Sequence, residues 1–259
     1  MPCTIAVAGK GGTGKTTLAA LVTAHLLRAG KVPVLAVDAD PNANLNEALG
    51  VEYDRTVVDT VEEIMQDGGA VPPGVSKGRV MEYRMHEALV ESAGFDLLVM
   101  GRTEGPGCYC HANDLLRGFL SQLAGGYAYV VLDNEAGMEH LSRRTTRDVE
   151  VLLLAANPTV TAVRSAGRIH QLARQLKVRI DRCFLVLNRL NGSGGLPVEQ
   201  TAVAAELGRL AEAGLPLLGE VPYDEKVMAQ SVQGRGVLAL GHGTAAAAAV
   251  ARMMDDLVV

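Results

Sequence analysis

Residues 9–16 read Gly9-Lys10-Gly11-Gly12-Thr13-Gly14-Lys15-Thr16: a glycine, four intervening residues, then Gly-Lys-Thr. Such a loop cradles phosphates for a physical reason. Glycines let successive backbone N–H groups curl around the β- and γ-phosphates, Lys15 adds a point charge, and the Thr16 hydroxyl suits Mg²⁺. The flanks agree with this reading. Thr4–Ala8 has the composition of a buried strand, and Leu18, Leu21, Val22 and Leu26 share one face of the helix expected from about Thr16. Strand, glycine-rich loop and helix in that order make Gly11, Gly12, Thr13, Gly14, Lys15, Thr16 and Thr17 candidate nucleotide-binding residues.

Outward from the loop, short β-branched runs alternate with helical patterns, without repeats, Pro-rich linkers or charge blocks. Further strands are expected at Val32–Asp38, Phe95–Gly101, Tyr127–Asp133, Val149–Ala155, Arg182–Asn188 and Leu215–Val221. Helices are expected from about Asn113, Ala162, Pro197 and Thr244, with a short one at Val58–Met65 before a surface excursion. This pattern predicts an α/β, doubly wound, mostly parallel sheet of about seven or eight strands flanked by helices, in a single domain over 1–259. With 259 residues, 48% apolar and 20% charged, the chain can bury a full core. No apolar stretch approaches the roughly 20 residues of a membrane span. The N-terminus lacks the marks of a signal peptide, so a cytoplasmic location is expected. A net charge of −5 argues against general nucleic-acid binding.

Three later segments place polar residues at expected strand ends, where open α/β sheets bind ligands. Asp38-Ala39-Asp40-Pro41-Asn42 puts two carboxylates there, although Asp and Asn also suit a turn before a helix near Asn44. Val130-Val131-Leu132-Asp133 ends in an acidic loop, with Asp133 suited to hold Mg²⁺ through water and Gly137 to act as a hinge. Glu135, Glu139 and His140 fit switch contacts or solvated loop groups equally well. Asn188-Arg189 and Glu220-Val221-Pro222-Tyr223-Asp224 are weaker signals, since a strand-terminal Asn is often a turn former.

With its extra Lys10, the run Lys10-Gly11-Gly12-Thr13-Gly14-Lys15-Thr16-Thr17 resembles the deviant P-loop of the MinD, ParA and nitrogenase iron protein group of dimeric ATPases. The resemblance implies that Lys10 reaches across a nucleotide-sandwiched homodimer to the partner's phosphates, which would make hydrolysis depend on dimerisation. It implies that Asp40 activates the attacking water and that Asp38 senses the Mg²⁺ shell. It further implies that Asn188 and Arg189 hold adenine and that the loop around Pro222 completes the base pocket. Lys10, Lys15 and Asp40 are thus the catalytic candidates, with ATP or ADP and Mg²⁺ as cofactors.

Four cysteines are present: Cys3, Cys108, Cys110 and Cys183. Cys3 and Cys183 begin apolar strands and suit the core. Cys108-Tyr109-Cys110 lies in a Gly- and Pro-rich loop, and if extended it presents both sulfurs to one side. Two thiolates fall short of the four that tetrahedral zinc or a cluster takes, but a two-fold dimer supplies the pair twice. Gly101-Arg102-Thr103-Glu104-Gly105-Pro106-Gly107-Cys108-Tyr109-Cys110, with the Asp133–His140 loop, resembles CooC-type accessory ATPases that mature nickel enzymes. That resemblance implies Ni²⁺ or Zn²⁺ bound by Cys108 and Cys110 across the dimer, and a client such as carbon monoxide dehydrogenase or acetyl-CoA synthase. His111 would be at most an additional ligand.

Two other readings compete. An ATP-dependent reductase of nitrogenase iron protein type needs a second cysteine in the Asp133 loop, where Asn134-Glu135-Ala136 offers none. A MinD- or ParA-like positioning ATPase would act on membrane or DNA. Its membrane form expects a basic amphipathic C-terminal helix, whereas Ala251–Val259 carries two aspartates and one arginine. Arg164, Arg168, Arg174, Arg143 and Arg144 would suit a basic patch for DNA or an acidic partner, or simply a solvated helix face.

Overall fold

The computed structural model describes residues 2–66, 77–101, 118, 123–136, 148–176, 179–190, 201–241 and 243–257. Their strands are β1 (Cys3–Gly9), β2 (Val34–Ala39), β3 (Leu89–Ser92), β4 (Phe95–Val99), β5 (Tyr129–Asn134), β6 (Asp148–Ala156), β7 (Arg179–Leu190) and β8 (Leu217–Pro222). They form one sheet in the order β3-β4-β2-β5-β1-β6-β7-β8. All pairings are parallel except β3 with β4. The expected doubly wound sheet is therefore present, with one antiparallel strand added at its edge.

Alternating side chains give the sheet two apolar faces. From β1, Ile5 and Val7 join a cluster containing Leu18, Leu21 and Val22 of α1 (Lys15–Arg28), Leu45 and Leu49 of α2 (Leu45–Leu49), and Val250, Met253 and Met254 of α8 (Ala245–Leu257). Ala6 and Ala8 turn the other way. They meet Val57 and Val61 of α3 (Val57–Gln66), Val163, Ala166 and Ile169 of α5 (Val160–Gln175), and Val203 of α6 (Thr201–Glu212). Two further α-helices are α4 (Lys77–His86) and α7 (Glu225–Val232), and a 3-10 turn spans Val237–Ala239. The apolar side of α8 is packed on α1 and β8.

Differences from expectation have local causes. β2 begins at Val34 and not Val32, because Pro33 has no N–H for a ladder; its carbonyl instead accepts from Ala128 N at 2.9 Å. β3 follows from the two-residue turn Ala93-Gly94, where Gly94 adopts φ +85° and reverses the chain into β4. α2 is the helix expected near Asn44, whereas α4 and α7 were not expected. The helices read from about Asn113 and Pro197 begin outside the described residues, and α6 is described from Thr201.

Candidate functional site

β1, β2 and β5 bring the first two motifs together. Val7 of β1 and Asp38 of β2 both lie in register with Asp133, because β5 runs between the two strands. The phosphate loop therefore emerges beside two strand-terminal carboxylates. Within it, Thr13 donates from N (3.3 Å) and Oγ1 (2.8 Å) to the Lys10 carbonyl, closing a tight turn. Lys15 is buried, whereas Lys10 is exposed. Gly14 has φ +79°, and a Cβ there would lie 2.4 Å from Asn188 Nδ2, so both conformation and space require glycine.

Asp133 is 1% exposed and no hydrogen bond of ordinary geometry reaches either carboxylate oxygen. Burial pushes its carboxyl up to about 7, against the pull of the nearby Thr16 hydroxyl and Lys15 and with the push of Asp38 and Asp40. An orphaned buried carboxylate beside a threonine hydroxyl fits a hard divalent cation, so Thr16 and Asp133 suit Mg²⁺. Asp38 is fully buried and also raised by burial, to about 6, although Leu45 N (2.7 Å) and Asp40 N (3.1 Å) donate to it. Asp40 is partly exposed and its Oδ1 accepts from both Asn42 N and Asn42 Nδ2 at 2.9 Å. The turn-forming use of this motif is thus real, and it coexists with a position at the mouth of the phosphate loop.

A second group converges on the other side of α1. Thr17, Leu18 and Leu21 line a cleft with Asn188 and Arg189 from β7 and Pro222 from β8, closed by Met228 of α7. The cleft is open to solvent along one side and lined by both apolar and polar groups, the character of a small-molecule site. Asn188 has a structural task that its sequence position did not announce. Its Nδ2 donates to the Thr13 carbonyl at 2.8 Å and its Oδ1 accepts from Arg189 N at 2.9 Å. Arg189 takes φ +60° where the pairing of β7 with β8 is interrupted. Asn134 is a residue that sequence reasoning missed: buried, it donates from Nδ2 to the Val7 carbonyl at 3.0 Å and ties β5 to β1 just below the loop.

Cys108, Cys110, His111, Gly137, Glu139, His140, Arg143 and Arg144 lie outside the described residues. Among the described residues, no His, Cys, Asp and Glu group of three or more is arranged to hold a metal ion. Cys3 and Cys183 are free and half-buried, and burial raises both thiols, Cys183 to about 12. Arg164 Nε pairs with Glu206 at 3.1 Å, so the charge of the α5 arginines is partly answered within the chain. No described helix is long and apolar enough to cross a membrane.

The family model of the CobQ/CobB/MinD/ParA nucleotide binding domain matches residues 4–237. The chain belongs to this family. It is accordingly a P-loop ATPase, and the expectation drawn from the doubled lysine is met at that level. Among CobQ/CobB/MinD/ParA relatives, an uncharacterized ATP-binding protein of Methanocaldococcus jannaschii is 39% identical over 232 residues, 89% of this chain and 88% of its own. The carbon monoxide dehydrogenase accessory protein CooC of Rhodospirillum rubrum is 32% identical over 89% of this chain and 87% of its own. The septum site-determining protein MinD of Bacillus subtilis is 28% identical over 90% of this chain and 80% of its own. In fold, the chain superposes on MinD of Pyrococcus horikoshii complexed with Mg-ADP with a TM-score of 0.71 at 22% identity, covering 100% of this chain and 96% of that one.

Proposed function

We propose that this chain is an ATP-hydrolysing, cytoplasmic homodimer that carries Ni²⁺ or Zn²⁺ on paired Cys108 and Cys110 and supports nickel insertion into a client enzyme of the carbon monoxide dehydrogenase class. The observation that carries the reading is the 32% identity to CooC along 89% of the chain. The position of the cysteines in the chain supports it. They follow Gly101 by seven and nine residues, and Gly101 leaves the sheet at the carboxyl end of β4, on the edge that also carries the phosphate loop and the aspartates.

In this reading the N–H groups of residues 11–16 and the Lys15 ammonium bind the triphosphate, and the base enters the cleft between Asn188, Arg189 and Pro222. Mg²⁺, held by Thr16 and through water by Asp133, supplies charge neutralisation on the phosphates when bound. Asp40 orients the water that attacks the γ-phosphorus. Lys10, exposed at the loop, is contributed to the second copy's phosphates and meets the charge that builds there. Nucleotide state would then open or close the dimer and with it the shared thiolate site, the metal being cargo.

Anaerobic titration of the whole protein with Ni²⁺ and with Zn²⁺ tests this, following absorbance and mass together for wild type and Cys108→Ser/Cys110→Ser. The expected result is one metal per two chains, with thiolate charge-transfer bands absent from the variant. Equal stoichiometric binding by the variant would remove the cysteine assignment. A second reading, a MinD-like positioning ATPase, has its own support in the 28% identity to MinD over 90% of the chain. It expects the cysteine variant to keep every activity. A brown, cluster-containing protein as isolated would instead indicate an iron–sulfur reductase.

A further inference from the structure

Asp224 sits where β8 ends and α7 begins, and its two carboxylate oxygens serve two different helices. Oδ1 accepts from Lys226 N at 3.0 Å and Val227 N at 3.4 Å, capping α7. Oδ2 accepts from Ala246 N at 2.9 Å, in the first turn of α8. Burial alone would raise this carboxyl, but those N–H groups and the Thr244 hydroxyl hold it below its ordinary range. The two helices differ in how else they are held. α8 buries Ala246, Ala249, Val250, Met253 and Met254 and packs on α1, the helix that carries the phosphate loop. α7 has no fully buried residue, only Val227 packs partly on the core, and Val232 at its end is 79% exposed. Yet Val227, Met228 and Ser231 of α7 form one wall of the base cleft, with Asp224 and Ala246 at the joint between that wall and α8.

We propose that Asp224 is a positioning residue for the nucleotide: by capping α7 and α8 with one carboxylate it holds the α7 wall of the base cleft at a fixed distance from the phosphate loop. The inference rests on the reading of that cleft as the base site. It assigns to Asp224 no contact with the reacting phosphate. Loss of the carboxylate frees α7 from α8 while leaving the loop, α1 and α8 packed as before. The base then loses its wall, and the phosphates keep their cradle.

The test compares two ligands of the full-length protein, ATP and inorganic tripolyphosphate, both with Mg²⁺, by calorimetric titration of wild type, Asp224→Ala and Asp224→Asn. Wild type should bind ATP more tightly than tripolyphosphate. Asp224→Ala should weaken ATP by about tenfold, the scale of a lost helix cap, while tripolyphosphate changes by less than about twofold. Asp224→Asn retains one acceptor oxygen, keeps one cap and should fall between; it also serves where the alanine variant does not fold. Parallel weakening of both ligands marks a general structural role and overturns the proposal, as does no change in either. If wild type binds ATP no more tightly than tripolyphosphate, the base-cleft reading itself fails, an outcome visible before any variant is made.

Discussion

Asp133 is buried, and the Thr16 hydroxyl and Lys15 offset that burial only in part, so its negative charge is unfavourable until a divalent cation arrives. Its carboxyl titrates at about 7 in the folded chain, against an ordinary 3.8. Between those values the unfolded chain has released a proton that the folded chain keeps, so the nucleotide-free protein loses stability as pH rises from about 4 to about 7. The shift of ~3 units sets an upper bound of ~4 kcal/mol. Asp133→Asn should therefore melt higher than wild type at pH 8 without nucleotide, the gap closing toward pH 4 in scanning calorimetry. A gap independent of pH would refute the buried charge. At the loop, Lys10→Ala should slow phosphate release by about 10³- to 10⁵-fold, the range for trans-acting cations, while a fluorescent ATP analogue still binds. Normal turnover would end the trans-lysine role. That Asp38 and Asp133 would meet beside the loop carrying Lys15 and Thr16 was legible, because parallel strands bring their carboxyl ends to one edge of the sheet. The tasks of Asn134 and Asn188 were not, since their partners, Val7 and Thr13, lie 127 and 175 residues away, and no local pattern encodes them.

Elements with an apolar stripe or an apolar run were readable, and those without were not. The expected Val58–Met65 helix appears as Val57–Gln66 because Val57, Val58 and Val61 face the core. α7 has no fully buried residue, only Val227 packing partly on the core, so hydrophobic periodicity had little purchase on it; what defines it is the Asp224 cap and a C-terminal turn through Gly234, φ +64°. After that turn the chain meets α2 backbone to backbone. A Cβ on Gly236 would lie 2.1 Å from Gly50 N and from the Leu49 carbonyl carbon. Gly236→Ala should consequently destabilise the fold by about 1–3 kcal/mol, the usual cost of overpacking. Denaturant unfolding checks this, and a midpoint equal to wild type would show that the segment gives way freely. Arg28 reinforces the same joint by donating to the carbonyls of Val237 and Leu240.

For the molecule as a whole, ligand binding should couple to stability by mass action. Mg²⁺ and ATP at a hundredfold over Kd should stabilise Lys10→Ala by ~2.7 kcal/mol, and the gain should vanish in Asp133→Asn if that carboxylate holds the cation. Thermal melts at several nucleotide concentrations measure both. The strand order has a consequence for how the chain comes into being. β1 ends in the phosphate loop, yet both of its neighbours in the sheet, β5 and β6, begin only at Tyr129 and Asp148. Growing from the ribosome, the chain displays a complete Gly-Lys-Thr motif long before anything can flank it. Loop closure over such separations is slow, and both edges of β1 and one edge of β2 wait unpaired in the meantime. Competence to bind nucleotide therefore arrives late, when β5 enters between β1 and β2 and the Asn134 amide reaches Val7, 127 residues away, and a nascent chain halted before Tyr129 should not yet bind nucleotide.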